Sequence, residues 1–179
     1  MWKNKYWQSL ILALILTLTL PACSGSRDNN AEKKDVEKVI DDNISWFRGK
    51  DFQLLFSTMS NGPDLFMYQL DTRSTIRGFE EFKKYSEDWR DPDLKYAGHR
   101  FDDLRVTLSK SGEAAWFSAM LEDCYTYKGG NAKCFTTRYT GVLEKRAGRW
   151  LIVQQHFSFP AEKIAPDWAI KTLHPPGKN

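Results

Sequence analysis

A few residues in this chain could do chemistry. His156 is the best-placed imidazole, and its ordinary pKa near 6.5 suits acid–base work. A structural histidine bonded within a sheet or across a dimer is the competing reading. Arg138 could grip an anion through its guanidinium fork, or pair with Glu122 or a partner copy. His99 is a candidate for a pocket rim, or an ordinary surface histidine. A carboxylate base with a tyrosine oxyanion donor is another chemistry to consider. Asp64, Asp71 and Asp123 are the candidate carboxylates, and Tyr68 and Tyr139 the candidate donors. No spacing fixes such a trio, and Asp64 and Asp71 also suit turns or caps. Trp46, Phe66, Tyr68 and Trp89 could line an apolar cavity or simply form core. No catalytic residue is assigned. The chain lacks Cys-x-x-Cys, His-Glu-x-x-His, a P-loop, Gly-x-Gly-x-x-Gly and Gly-x-Ser-x-Gly. Neither a metal site nor a cofactor is expected from the motifs.

The elements that must position these residues can be read along the chain. It has 179 residues, 41% hydrophobic and 27% charged. These values fit one globular domain plus extras and exclude disorder, collagen and a multi-span membrane protein. Val36, Val39, Ile40, Ile44 and Phe47 recur at helical spacing, predicting an amphipathic helix that ends at Gly49. Asp51 caps a shorter helix with Phe52, Leu55, Phe56 and Met59. Leu65 to Leu70 reads as a strand, Asp71 to Ser74 as a turn, and a short strand then reaches Arg77. Gly78 opens a third helix with Phe79, Phe82, Tyr85 and Trp89 on one side. Four antiparallel strands follow, with turns at Ser111-Gly112, Lys128 to Gly130 and Arg146 to Gly148. Three helices, a small hairpin and a meander make an α+β domain.

The N-terminus carries an address. Lys3 and Lys5 precede an apolar run, Leu10 to Leu20, too short for a membrane helix and suited to a signal-peptide core. The run closes Leu20-Pro21-Ala22-Cys23, which resembles the bacterial lipobox. The resemblance implies cleavage before Cys23 and acylation of its thiol. The expected organisation is a lipoprotein signal peptide at 1–22, a flexible tether at 23–32, a domain at 33–160 and a tail at 161–179. Ser24 follows the cysteine, which favours the outer membrane, facing the periplasm, over the inner membrane of a bacterial envelope. The mature chain keeps 24 basic and 23 acidic side chains. Bulk charge selects no partner, and nucleic acid is not expected.

The order of elements resembles the nuclear transport factor 2-like superfamily, in particular its SnoaL-like and ketosteroid-isomerase-like bacterial members. The most specific stretch runs from Arg138-Tyr-Thr140 through Gly148-Arg-Trp150 to His156-Phe-Ser158. It is also similar to the association domain of calmodulin-dependent protein kinase II. Gly78-Phe-Glu-Glu-Phe82 matches the usual entry to the third helix. The resemblance implies a curved sheet wrapped over helices into a cone, open at one end to a pocket, and a homodimer through the sheet.

Turn lengths sharpen the sheet. A three-residue turn at Arg146 to Gly148 sets Lys145 opposite Arg149 and Arg138 opposite His156. A three-residue turn at Lys128 to Gly130 sets Cys124 opposite Cys134 and Met120 opposite Arg138. Opposed strand positions lie within disulfide reach, and an exported compartment permits the bond. Two free thiols or a redox switch are the alternatives. One face then carries Phe117, Ala119, Leu121, Phe135, Tyr139, Leu143, Leu151, Val153 and Phe157. Being more apolar, it should cover the helices, with Asp123, Tyr139 and Gln155 as its polar members. The other face carries Trp116, Met120, Arg138, Thr140, Trp150, Gln154 and His156, and suits a subunit interface. The expected function is a lipid-anchored module holding a small apolar or amphipathic molecule, or an envelope partner, without catalysis. The alternative is a small isomerase, dehydratase or hydrolase using a carboxylate or histidine in the cone.

Overall fold

The computed structural model describes residues 28–70 and 75–160. The expected signal peptide, the expected lipidation site Cys23, the expected turn at Asp71 to Ser74 and the expected tail at 161–179 lie outside the described residues. Helix α1 (Asn29–Ser45) starts earlier than the tether boundary at residue 32 implied. The reason is Asp28, whose carboxylate accepts from the backbone N–H groups of Asn30 and Ala31 and caps the first turn. Val36, Ile40, Asn43 and Ile44 form the buried stripe of α1. A 3₁₀ turn, Trp46–Arg48, carries the chain to Gly49. Asp51 caps α2 (Phe52–Ser57) by accepting from Leu54 N–H at 2.9 Å. Gly78, at φ +83°, turns the chain into α3 (Phe79–Ser86), a conformation that glycine adopts without strain.

The strands are β1 (Phe66–Tyr68), β2 (Thr75–Arg77), β3 (Leu94–Leu108), β4 (Ala114–Tyr127), β5 (Lys133–Arg146) and β6 (Arg149–Ser158). They form one open sheet in the order β2-β1-β6-β5-β4-β3. All neighbours are antiparallel except β1 and β6, which run parallel. Irregularities in β3 fall between Tyr96 and Gly98 and between Asp102 and Arg105. Bulges of this kind increase local twist, and here they bend the long strands around the helices.

The β4–β5 register is the expected one, with Met120 opposite Arg138 and Cys124 opposite Cys134. The two cysteines form a disulfide. The β5–β6 register differs from expectation. Ala147 and Gly148 both have left-handed backbones (φ 49° and 78°) and close a two-residue turn, so Arg146 faces Arg149. A bulge between Val142 and Leu143 then leaves Val153 unpaired, and Arg138 faces Ser158 rather than His156. The parity of β6 therefore switches along its length. Trp150 and Ile152 share the face of Leu143, opposite to where Trp150 was expected, and Leu151 turns to the other side.

Helices and the concave sheet face enclose the core. Its closed half is packed by Val36, Ile40, Ala115, Leu143, Trp150 and Ile152. Among the described residues no helix is long and apolar enough to cross a membrane.

Candidate functional site

The other half of the cone is hollow. A cavity of about 330 Å³ lies between the C-terminal end of α1, the 3₁₀ turn, α3 and the concave faces of β4, β5 and β6. This volume is at the lower end for small-molecule sites. Burial grades along it. Asn43, Leu55, Leu121, Thr137 and Gln155 form a buried floor. Leu70, Tyr85, Trp89, Leu94, Phe135 and Phe157 are partly exposed and mark the opening. Aromatic rings pack into the wall in contact with one another. Trp89 lies 5.6 Å from Trp46 and 5.3 Å from Tyr85, and Tyr125 lies 5.3 Å from Phe47 and 6.0 Å from Phe135.

Asp123 is the carboxylate of this wall. Residues 117, 119, 121 and 123 alternate onto the concave face of β4, which brings Asp123 among the rings at 7% exposure. Its Oδ2 accepts from the Tyr125 hydroxyl. Among the described residues its Oδ1 has no hydrogen-bond partner, and neither does Thr137 Oγ1 on the neighbouring strand. Burial pushes the Asp123 carboxyl above the ordinary carboxylate range. The Tyr125 hydroxyl, the His99 charge and the Cys124 backbone oppose that push. Tyr125 is raised in turn, chiefly by burial and then by the adjacent Asp123 charge.

This shift makes a prediction. A carboxyl whose folded pKa is raised holds its proton longer in the native state, so stability falls as pH rises from the unfolded value, 3.8, to the folded one. Asp123→Asn removes that loss. The stability of wild type relative to Asp123→Asn should decline across this window and then level off. Urea midpoints between about pH 3.5 and pH 8 check it, and a difference independent of pH would contradict it.

His99 is neither on the cavity lining nor an ordinary surface histidine. It lies within β3, opposite Asp123, with its side chain only 7% exposed. Nε2 is 2.9 Å from Asp41 Oδ1 and Nδ1 is 2.8 Å from Tyr96 Oη. A carboxylate only accepts, so Nε2 donates to Asp41. Both ring nitrogens are therefore engaged away from the cavity.

The sequence candidates divide. Trp46, Trp89, Asp123 and Gln155 line the cavity. Tyr139 is fully buried beneath it, with its hydroxyl 2.9 Å from Asn43 Oδ1 and 3.1 Å from Gln155 Oε1. Phe66 and Tyr68 are not at the pocket. Parallel pairing sets Phe66 beside Gln154 and Tyr68 beside His156 on the convex face, where the Tyr68 and His156 rings are 5.6 Å apart. Arg138, Thr140, His156 and Ser158 share that face, and Trp150 does not. Asp64 is a structural carboxylate. The Arg146 guanidinium lowers its pKa below the ordinary value and also binds Glu144 and Ser60. Asn43, Tyr125 and Thr137 were missed, although Tyr125 and Thr137 follow from the parity that placed Asp123 and Tyr139. Among the described residues no group of histidines, cysteines and carboxylates could hold a metal ion.

The SnoaL-like domain family matches residues 36–162. This chain belongs to the SnoaL-like domain family. Its α+β fold, helices packed on an open six-stranded curved sheet, is that of the nuclear transport factor 2-like superfamily. Solved structures share the architecture of this SnoaL-like domain. An NTF2-like protein of unknown function from Pseudomonas putida KT2440 is 14% identical, with 73% of this chain and 88% of that one covered and a TM-score of 0.61. The association domain of CaMKII from C. elegans is 19% identical, covering 72% and 96%, with a TM-score of 0.58. A ketosteroid isomerase-like protein from Erwinia carotovora atroseptica is 17% identical, covering 76% and 99%, with a TM-score of 0.58. At these identities the likeness concerns the fold. No curated protein matches the chain.

Proposed function

We propose that this SnoaL-like protein is a lipid-anchored envelope protein whose cone holds a small apolar or amphipathic molecule without transforming it. One observation carries the reading of the pocket. A cavity rich in aromatic rings has two buried polar atoms on its wall, Asp123 Oδ1 and Thr137 Oγ1, that have no hydrogen-bond partner among the described residues. Buried polar atoms are normally paired, so a ligand or ordered water completes them. Absence of turnover is supported by where the tyrosines point. Tyr125 donates to Asp123 itself, and the Tyr139 hydroxyl faces Asn43 and Gln155. Neither is free to stabilise an oxyanion on a ligand. The basic start, apolar run and Cys23 support the anchor. The convex face, with Trp116 half exposed beside Met120, Arg138 and Thr140, supports pairing of two copies.

Expression in a bacterial envelope tests both parts. Cys23→Ser should release the protein from membranes, and the released protein should carry a non-covalent adduct in native mass spectrometry. Membrane retention of Cys23→Ser after signal cleavage would refute the anchor, and a mass with no adduct would refute the occupied pocket.

The raised carboxyl of Asp123 favours a second reading, acid–base turnover by an isomerase, dehydratase or hydrolase. If it holds, wild type and Asp123→Asn should retain different adducts, product-sized and substrate-sized. Identical adducts would exclude it.

A further inference from the structure

Resting on the pocket reading above, we infer that the ligand's polar end is cationic, an ammonium or quaternary ammonium group seated against Asp123. Three observations converge on this. First, Asp123 is more than nine-tenths buried on the cavity wall and has one oxygen without a partner. A buried charge is costly unless an opposite charge meets it. Second, no lysine, arginine or histidine is among the described residues lining the cavity. Lys50, the cation beside Phe47, is bonded to the Asp91 carbonyl. His99 directs both nitrogens to Asp41 and Tyr96. His99, opposite Asp123 on β3, acts on the carboxylate through its charge but bonds elsewhere, so no basic side chain among the described lining residues bonds the free oxygen. Third, about half of the remaining lining is aromatic, with Trp46, Phe47, Trp89, Tyr125, Phe135 and Phe157 around the same space. Ring faces carry negative potential and attract an organic cation, most strongly when it is shielded from water.

Other polar ends fit less well. An anion would meet Asp123 with nothing to compensate either charge. A neutral hydroxyl would satisfy Oδ1 and leave the carboxylate charge unmatched. An ammonium does both, and Thr137 Oγ1 can accept one of its hydrogens.

The test uses the full-length protein and three water-soluble probes of similar shape, followed by tryptophan fluorescence at pH 7.5. The probes are phenethylamine, 2-phenylethanol and phenylacetate. The amine should bind at least about tenfold more tightly than the alcohol, with phenylacetate weakest. Asp123→Asn should weaken the amine by a similar factor and leave the alcohol within about threefold. The wild-type comparison stands even if the variant fails to fold. Alcohol binding equal to or tighter than the amine would overturn the cationic assignment and leave the pocket intact. Binding of none of the three would overturn the pocket reading with it.

Discussion

Tyr139→Ala should be among the most destabilising single substitutions in this protein. The ring is fully buried, stacks on Phe157 at 4.4 Å and meets Phe117 edge-on at 4.7 Å. Emptying a site of this kind costs about 3–5 kcal/mol. The hydroxyl also ties Asn43 of α1 to Gln155 of β6, joining the helix layer to the sheet beneath the cavity. Leaving those amide oxygens unpaired adds on the order of 1–3 kcal/mol. Tyr139→Phe separates the two contributions, because it keeps the ring and loses only the hydroxyl. Urea unfolding should rank wild type above Tyr139→Phe and that variant well above Tyr139→Ala. Equal midpoints for the two variants would mean that ring burial contributes nothing measurable.

Trp150→Ala should cost about 3–5 kcal/mol as well, for a different combination of reasons. Trp150 is 4% exposed at the closed end of the cone. Its indole N–H donates to Glu32 Oε2 at 2.9 Å, and Lys145 pairs with the other oxygen of the same carboxylate. The Lys145 ammonium sits 5.6 Å from the indole ring centre. Truncation therefore opens a void and removes a group that holds the first turns of α1 to the β5–β6 hairpin. Trp150→Phe should recover most of the packing and little of the hydrogen bond. If Trp150→Ala shifts the urea midpoint no more than an ordinary surface change, about 0.5 kcal/mol, the clamp has no energetic weight.

Local signals carried much of this fold. Asp51, Gly78 and the 3.6-residue stripe from Val36 to Ile44 mark helix boundaries through chemistry that acts within a few residues. The β4–β5 hairpin was legible because the Cys124–Cys134 pairing and strand parity agree, and that placed Asp123 on the concave face. The errors arose where one residue decides a register. Reading Arg146 to Gly148 as a three-residue turn put Trp150 on the wrong face, and the bulge at Val153, not anticipated, shifted the pairing beyond it by one more residue, so that Arg138 meets Ser158. The parallel pairing of β1 with β6 joins segments more than 80 residues apart, and no local pattern in Phe66–Tyr68 announces it. That is why Phe66 and Tyr68 looked like pocket residues. Asn43 was hidden for the opposite reason. It occupies an apolar position in the helix stripe, and only the Tyr139 hydroxyl and Thr58 explain a polar residue there.

Helix α1 also sets the orientation of the molecule toward anything that holds it. Its N-terminal turns are bound at the closed end through Glu32, and its last turn carries Asn43 and Ile44 to the cavity floor. From end to end the seventeen residues of α1 (Asn29–Ser45) span about 25 Å. The five peptide links from Cys23 to Asp28 can span about 18 Å at most. A support that holds the chain at Cys23 is therefore tied closer to the closed end of the cone than α1 is long. With the proposed anchor at Cys23, the opening would lie on the side away from the bilayer, and solutes would reach it from the bulk solution.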